Sequence, residues 1–216
     1  MLYLFPERLE KTASGKPALH WPKGAKPFSA NVQLAPNTAV HEVLVMPQAL
    51  SAEECRRTRE LGDAAQPARA QLERGNAAEY RASNVAWIEP RPEAHWLYHR
   101  LGMLFLEANR RYGFQLVGFV DALQYTVYGP ADKFDWHVDL GPDSISGRKL
   151  SLSVLLNDTG EYEGGSLEFL NVPRSGQALP AGAAIFFPSY MAHRVTPVAS
   201  GVRRSLVAWG YGPPFK

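Results

Sequence analysis

The 216-residue sequence predicts a mainly β protein, a sandwich or barrel with a few flanking helices. Three observations point there. From about Val117 onward, short strand-like runs follow one another with turn signals between them. The run from Lys149 to Leu156 sets Leu150, Leu152 and Val154 against Ser151 and Ser153, the two-residue period of a half-buried strand. The 18 glycines and 17 prolines supply the many turns that such a fold needs.

Taken in order, residues 1 to about 40 are broken by Gly15-Lys16-Pro17 and Gly24-Ala25-Lys26-Pro27 and read as an irregular arm with one short strand around Asn31 to Leu34. Ser51 with Glu54 three residues later is a capping box, so a helix is expected over Ala52 to Leu61. Tyr80 to Ile88 has strand character and is closed by Pro90 and Pro92. Leu97, Leu101, Leu104 and Ala108 recur at helical spacing, so a longer helix should run from about Glu93 to Tyr112, ending before Gly113. Strands follow at Phe119 to Tyr128, Lys149 to Leu156, Ser166 to Leu170 and Ala183 to Phe187. A last hairpin is expected, Arg194 to Val198 pairing across Ala199-Ser200-Gly201 with Arg203 to Trp209. The whole chain, 1–216, reads as a single domain with its β core over 117–211.

Composition narrows the function classes. A formal net charge of +2, from 23 basic and 21 acidic residues, gives no large field to draw nucleic acid or an anionic membrane. No run of about 18 apolar residues occurs, and the apolar stretch at the N-terminus is too short for a signal peptide, so the expectation is a soluble, cytoplasmic protein. The single cysteine, Cys55, falls in the first turn of the predicted helix and is expected to be buried packing rather than a reactive thiol.

The chemistry lies in His137-Val138-Asp139 and, one small β-domain later, His193. In extended chain, residues i and i+2 point to the same side, so the His137 imidazole and Asp139 carboxylate can grip one ion. His193 would complete a two-histidine, one-carboxylate face with three open positions, the ligand set of non-haem Fe(II) oxygenases. With six histidines and seven aspartates, a His-x-Asp arises by chance about 0.2 times in such a chain, so context must carry the assignment. Ten residues after His193, Arg203-Arg204-Ser205 places a guanidinium and a hydroxyl on one strand face, a shape suited to holding a carboxylate; Arg204 should face solvent. Tyr128, at the end of the strand leading to the ligands, is a third candidate, with Gln124 and Thr126 on its face. His95 and His99 have the i, i+4 spacing of helical metal ligands but lack the acidic companion between them. Gly164-Gly165 is read as a turn, because no Lys-Ser or Lys-Thr follows. Trp87, Tyr125 and Trp136 are read as packing or loop residues.

As an ordered set, Leu123-Gln124-Tyr125-Thr126-Val127-Tyr128-Gly129, His137-Val138-Asp139, Leu150 to Asp158, Tyr162-Glu163-Gly164-Gly165-Ser166-Leu167 and His193-Arg194-Val195-Thr196-Pro197-Val198 up to Arg203 resembles the prolyl 4-hydroxylase-like branch of the 2-oxoglutarate oxygenases, over about residues 80 to 211. The resemblance implies a double-stranded β-helix, or jelly roll. It also implies Fe(II) held by His137, Asp139 and His193, and 2-oxoglutarate bound by Arg203 with help from Tyr128 and Ser205. Trp209 matches a position lining the substrate pocket, O₂ is the second co-substrate, and ascorbate is a reductant. Many prolyl 4-hydroxylases carry lysine as the clamp; Arg203 departs from them and weakens any claim for collagen-like substrates. Halogenating relatives lack the carboxylate ligand, so Asp139 favours hydroxylation. The expected reaction is hydroxylation of an unactivated C–H bond of a prolyl or other amino-acid side chain in a peptide or protein. The alternatives are a free amino acid or small metabolite as substrate, a non-catalytic jelly-roll binding or sensing module, and a hydrolytic zinc centre. The loop from Gly141 to Arg148 is a candidate carrier of specificity.

Overall fold

A computed structural model describes residues 2–3, 8–11, 14, 17–20, 28–29, 38–39, 41–70, 80–170, 172 and 176–214. The strand expected at Asn31 to Leu34 lies outside them. The chain divides into two compact units, Met1–Asn37 and Thr38–Lys216. In the first, strands β1 (Leu2–Tyr3), β2 (Arg8–Lys11), β3 (Pro17–His20) and β4 (Phe28–Ser29) form two antiparallel pairs, β1 with β4 and β2 with β3.

The second unit contains strand β5 (Leu44–Met46), helix α1 (Ala52–Ala64), strands β6 (Ala68–Arg69), β7 (Arg81–Ala82) and β8 (Asn84–Ile88), and helix α2 (His95–Tyr112). Strands β9 (Leu123–Tyr128), β10 (Lys133–His137), β11 (Arg148–Leu155), β12 (Tyr162–Gly164) and β13 (Leu167–Phe169) follow. The chain then forms β14 (Ala184–Pro188), β15 (His193–Val195), β16 (Val198–Gly201) and β17 (Arg203–Tyr211). Seven strands make a major antiparallel sheet in the order β5-β14-β11-β17-β9-β8-β6, and four make a minor one in the order β13-β15-β10-β7. Rings from the two sheets meet, Phe187 against His193 at 4.6 Å and Phe169 against Phe187 at 4.8 Å between centroids. This is the jelly roll that the sequence led us to expect.

Both helices brace one face of the major sheet. The Ser51 hydroxyl accepts from the Glu54 N–H while Glu54 accepts from the Ser51 N–H, so the predicted capping box opens α1. Helix α2 stops at Gly113, which sits at φ 68° where a side chain would be strained. Its apolar stripe, Leu97, Leu101, Leu104, Phe105 and Ala108, is buried with Leu150, Leu152 and Val154 of β11 and Leu206 and Ala208 of β17. Each fully buried leucine is worth about 2 kcal/mol of apolar transfer, so this layer is a major source of stability. Cys55 is buried in it, and its thiol is pushed up to about 11, chiefly by burial, which makes it a packing residue as expected.

Two sequence readings need correction. The hairpin between Arg194–Val198 and Arg203–Trp209 does not form. Strand β15 pairs with β10 and β13 in the minor sheet, β17 lies between β11 and β9 in the major one, and the connecting β16 pairs with β12. The chain crosses from one sheet to the other here, and the residues read as a turn are themselves a strand. Strand β11 is also not half-solvated: Ser151 and Ser153 are as buried as the leucines. The polar face that the alternation marks points into the space between the sheets rather than to water.

Candidate active site

The inner face of the major sheet and the minor sheet enclose a cavity of about 340 Å³. The β9 strand runs to Tyr128 and turns at once, with the Gly129 N–H donating to the Asp132 carboxylate at 2.9 Å and the Asp132 N–H returning to the Gly129 carbonyl at 3.0 Å. Strand β10 then delivers His137 directly opposite His193 of β15, with a local register shift between Phe134 and His137. Asp139 lies just beyond the end of β10, tied down by its N–H donating to the Ser189 carbonyl at 2.9 Å. Ligand atoms of His137, Asp139 and His193 all fall within 4.8 Å of one another. Among the described residues this is the one cluster of histidine, cysteine and acidic side chains able to hold a metal, and His95 and His99 are not in it.

The protonation states suit a cation. His137 Nδ1 lies 2.7 Å from the Asp135 carbonyl and His193 Nδ1 lies 3.0 Å from the Met191 carbonyl. A carbonyl only accepts, so each Nδ1 carries the proton and each Nε2 lone pair is left for a ligand. Burial, then the neighbouring His193, brings the His137 imidazole down to about 4, against the pull of Asp139, so it is neutral at pH 7. Burial alone would raise the Asp139 carboxyl; the two imidazoles and the Ser151 hydroxyl outweigh it and hold the group below its ordinary value, ionised. Ser151 donates to Asp139 Oδ2 at 2.7 Å and shares a 2.9 Å hydrogen bond with Ser189, so a serine pair fixes the rotation of the carboxylate. Phe134 stacks on His137 with centroids 3.5 Å apart and walls off its outer side.

Arg203, Ser205, Val207 and Trp209 alternate along the inward face of β17 and all line the same cavity. Arg203 is 1% exposed, donates from Nη1 to Ser205 Oγ at 3.0 Å, lies 5.5 Å from the Tyr128 ring centre and has no carboxylate partner among the described residues. Its Nε is buried with no hydrogen bond. Gly165, at φ 59°, gives it room: a Cβ there would stand 2.9 Å from Arg203 Cδ. Arg204 is half-buried on the opposite face beside Tyr125 rather than in solvent. Trp209 is buried under the Arg148 guanidinium, 3.7 Å from its ring centre; its indole N–H lacks a well-formed hydrogen bond but lies near enough to help hold Asp139 ionised. Trp87, read from sequence as packing, is 45% exposed and lines the cavity beside Trp209. Tyr125 and Trp136 do not line it. Arg81, Arg148 and Ser151 were not singled out by sequence; the alternating serines of β11 were the signal for Ser151. The loop after Asp139 contributes Ile145 and Arg148 to the cavity rim.

A metal-ready triad and an unneutralised buried guanidinium on facing sheets of a jelly roll define the class. Residues 123–211 match the 2OG-Fe(II) oxygenase superfamily. Among its relatives, a PKHD-type hydroxylase of Synechococcus sp. (strain CC9902) is 40% identical over 98 residues, 44% of this chain and 44% of that protein. The match therefore spans less than half the length of this relative. The fold is like that of a Pseudomonas putida prolyl-4-hydroxylase (TM-score 0.64, 22% identity, 82% of this chain and 96% of that one). It is also like a Trichoplax adhaerens prolyl hydroxylase solved with a hypoxia inducible factor peptide fragment (TM-score 0.65, 19% identity, 81% and 84%). The superfamily uses Fe(II), 2-oxoglutarate and O₂. The residues fit these groups: two imidazoles and one carboxylate converge, and a buried cation with an unused N–H faces the same cavity. No helix among the described residues is long and apolar enough to cross a membrane.

Proposed function

We propose that the chain is an Fe(II)- and 2-oxoglutarate-dependent dioxygenase, its single catalytic domain the unit after Asn37, that hydroxylates an unactivated C–H bond. In this reading His137, Asp139 and His193 hold the iron, Arg203 with Ser205 and Tyr128 holds the far carboxylate of 2-oxoglutarate, and Trp209 lines the substrate side. The observation that carries it is that the triad and the unpaired Arg203 share one cavity. The bound metal and keto acid supply the oxidising chemistry, with O₂ consumed and succinate and CO₂ released. The protein's own residues do the rest. The serine pair orients Asp139, Phe134 and Phe187 exclude water from the histidines, and Arg203 sets the co-substrate's direction. The substrate we favour is a prolyl or other amino-acid side chain in a peptide, with a free amino acid or small metabolite as the alternative. A prolyl hydroxylase of similar fold holds a peptide, which supports the first.

Purified protein with Fe(II), ascorbate and 2-oxoglutarate should form succinate, faster when a substrate is present. No succinate at all, with metal and 2-oxoglutarate both bound, would favour a binding module instead; activity restored after chelation by Zn(II) but not Fe(II) would favour a hydrolytic centre. Orientation of Asp139 by Ser151 also makes Ser151→Ala a positioning variant, expected to weaken metal affinity by about tenfold or more, while Ser151→Thr retains it. Equal affinity in all three proteins, measured by metal titration, would show that the hydroxyl does not matter.

A further inference from the structure

The cavity is lined by three guanidinium groups and, among the described residues, one carboxylate, that of Asp139. The three arginines differ in what they touch. Arg148 is neutralised by Asp121, with Nη2 and Nε donating to Oδ2 at 2.6 and 3.0 Å. Arg203 is assigned above to the co-substrate. Arg81, at the start of β7, has no anionic partner among the described residues. Its Nε donates to Ser83 Oγ at 3.1 Å, its guanidinium lies 4.5 Å from the Phe134 ring centre, and its Nη2 is buried with no hydrogen bond. Guanidinium, phenyl and imidazole thus lie in sequence, Arg81 over Phe134 over His137. Burial lowers the Arg81 pKa, as expected of a cation set in a cavity without a counter-charge, although Tyr128 and Asp139 act against the shift. The Phe134 face compensates only part of that cost. A buried N–H donor left open in a ligand cavity requires a partner, and for a cation the natural one is an anion.

We propose that Arg81 binds a carboxylate of the primary substrate. This inference rests on the dioxygenase reading and extends it: one cation, Arg203, serves the co-substrate, and the other, on the opposite sheet, serves the molecule to be hydroxylated. The substrate is then a carboxylic acid. Its carboxylate is either the α-carboxylate of a free amino acid or an acidic side chain close to the target in a peptide. A fully neutral peptide segment leaves Arg81 unpaired.

The test uses the whole chain loaded with Mn(II), which is paramagnetic, and saturating 2-oxoglutarate. Proton relaxation is measured on matched probes: free L-amino acids against their carboxamides, and end-blocked proline-containing peptides with Asp or Glu against the same peptides with Asn or Gln. The expected result is at least about a tenfold preference for the acid over the amide in one of the two sets, and the set that shows it identifies the source of the carboxylate. R81Q should bring the acid to the level of the amide, and R81K should keep part of the preference, with circular dichroism melting showing that both variants are folded. The proposal is overturned if acids and amides bind alike, if no acid binds at millimolar concentration, or if R81Q retains the preference. A loss of 2-oxoglutarate affinity of tenfold or more in R81Q would reassign the guanidinium to the co-substrate. Failure of the unaltered protein to bind 2-oxoglutarate would sink the dioxygenase reading itself. Parity of acid and amide with 2-oxoglutarate bound sinks only the role of Arg81.

Discussion

Asp139→Ala is expected to remove 2-oxoglutarate turnover down to the level of a protein-free control while leaving the fold intact. Asp139 supplies the carboxylate of the triad, and what remains is two imidazoles, which carry no negative charge. Losing an outer partner of a metal ligand alone costs about 10–100-fold, so losing the ligand should exceed the upper end of that range. The fold should survive because the backbone N–H of residue 139 keeps its hydrogen bond to the Ser189 carbonyl, and the serine pair can bond to itself once the carboxylate is gone. Succinate formation, followed beside a circular dichroism melt, checks both halves. Turnover within threefold of the unaltered protein would show that iron is held elsewhere.

The second large effect is expected at Arg203. In Arg203→Leu the far carboxylate of 2-oxoglutarate would enter a site where the other β17 side chains lining the cavity, Ser205, Val207 and Trp209, carry no charge. Breaking a buried charge pair by removing one partner costs about 3–5 kcal/mol, which corresponds to at least about a hundredfold rise in the concentration of 2-oxoglutarate needed for half-maximal rate. Metal affinity, measured without 2-oxoglutarate, should change little, because Arg203 is not among the converging ligand atoms. Arg203→Lys should fall between the two, since an ammonium keeps the charge but not the paired geometry of the guanidinium. A KM for 2-oxoglutarate unchanged in Arg203→Leu would remove the clamp from the account.

The sequence carried the site better than it carried the topology. The convergence of His137, Asp139 and His193 was legible because two side chains two residues apart need only local extended chain to share a side, and the shared face of Arg203, Ser205 and Trp209 because they alternate on a single strand. Helix α2 was legible from Leu97, Leu101, Leu104 and Ala108, and its observed start at His95 differs only by the one-turn 3-10 segment Pro92–Ala94. Strand pairing was not legible. Ala199-Ser200-Gly201 reads as a turn because its residues are small and end in glycine, yet it belongs to a strand, Val198–Gly201, whose partner, Tyr162–Gly164, is remote in sequence. Nothing local encodes such a partner. Arg81 escaped for the same reason: its chemistry comes from the Phe134 and His137 of another strand, brought alongside by the pairing of Arg81 with Phe134. The serines of β11 show the opposite error, a correct period given the wrong surroundings, because a polar strand face looks the same whether it meets water or a cavity between sheets.

The most direct test is a crystal structure grown with an inert divalent metal and 2-oxoglutarate. The account predicts one metal bonded to His137 Nε2, His193 Nε2 and the Asp139 carboxylate, with the keto acid on that metal and its far carboxylate paired with Arg203. A metal bound at other residues, or a keto acid whose far end points away from Arg203, would contradict it.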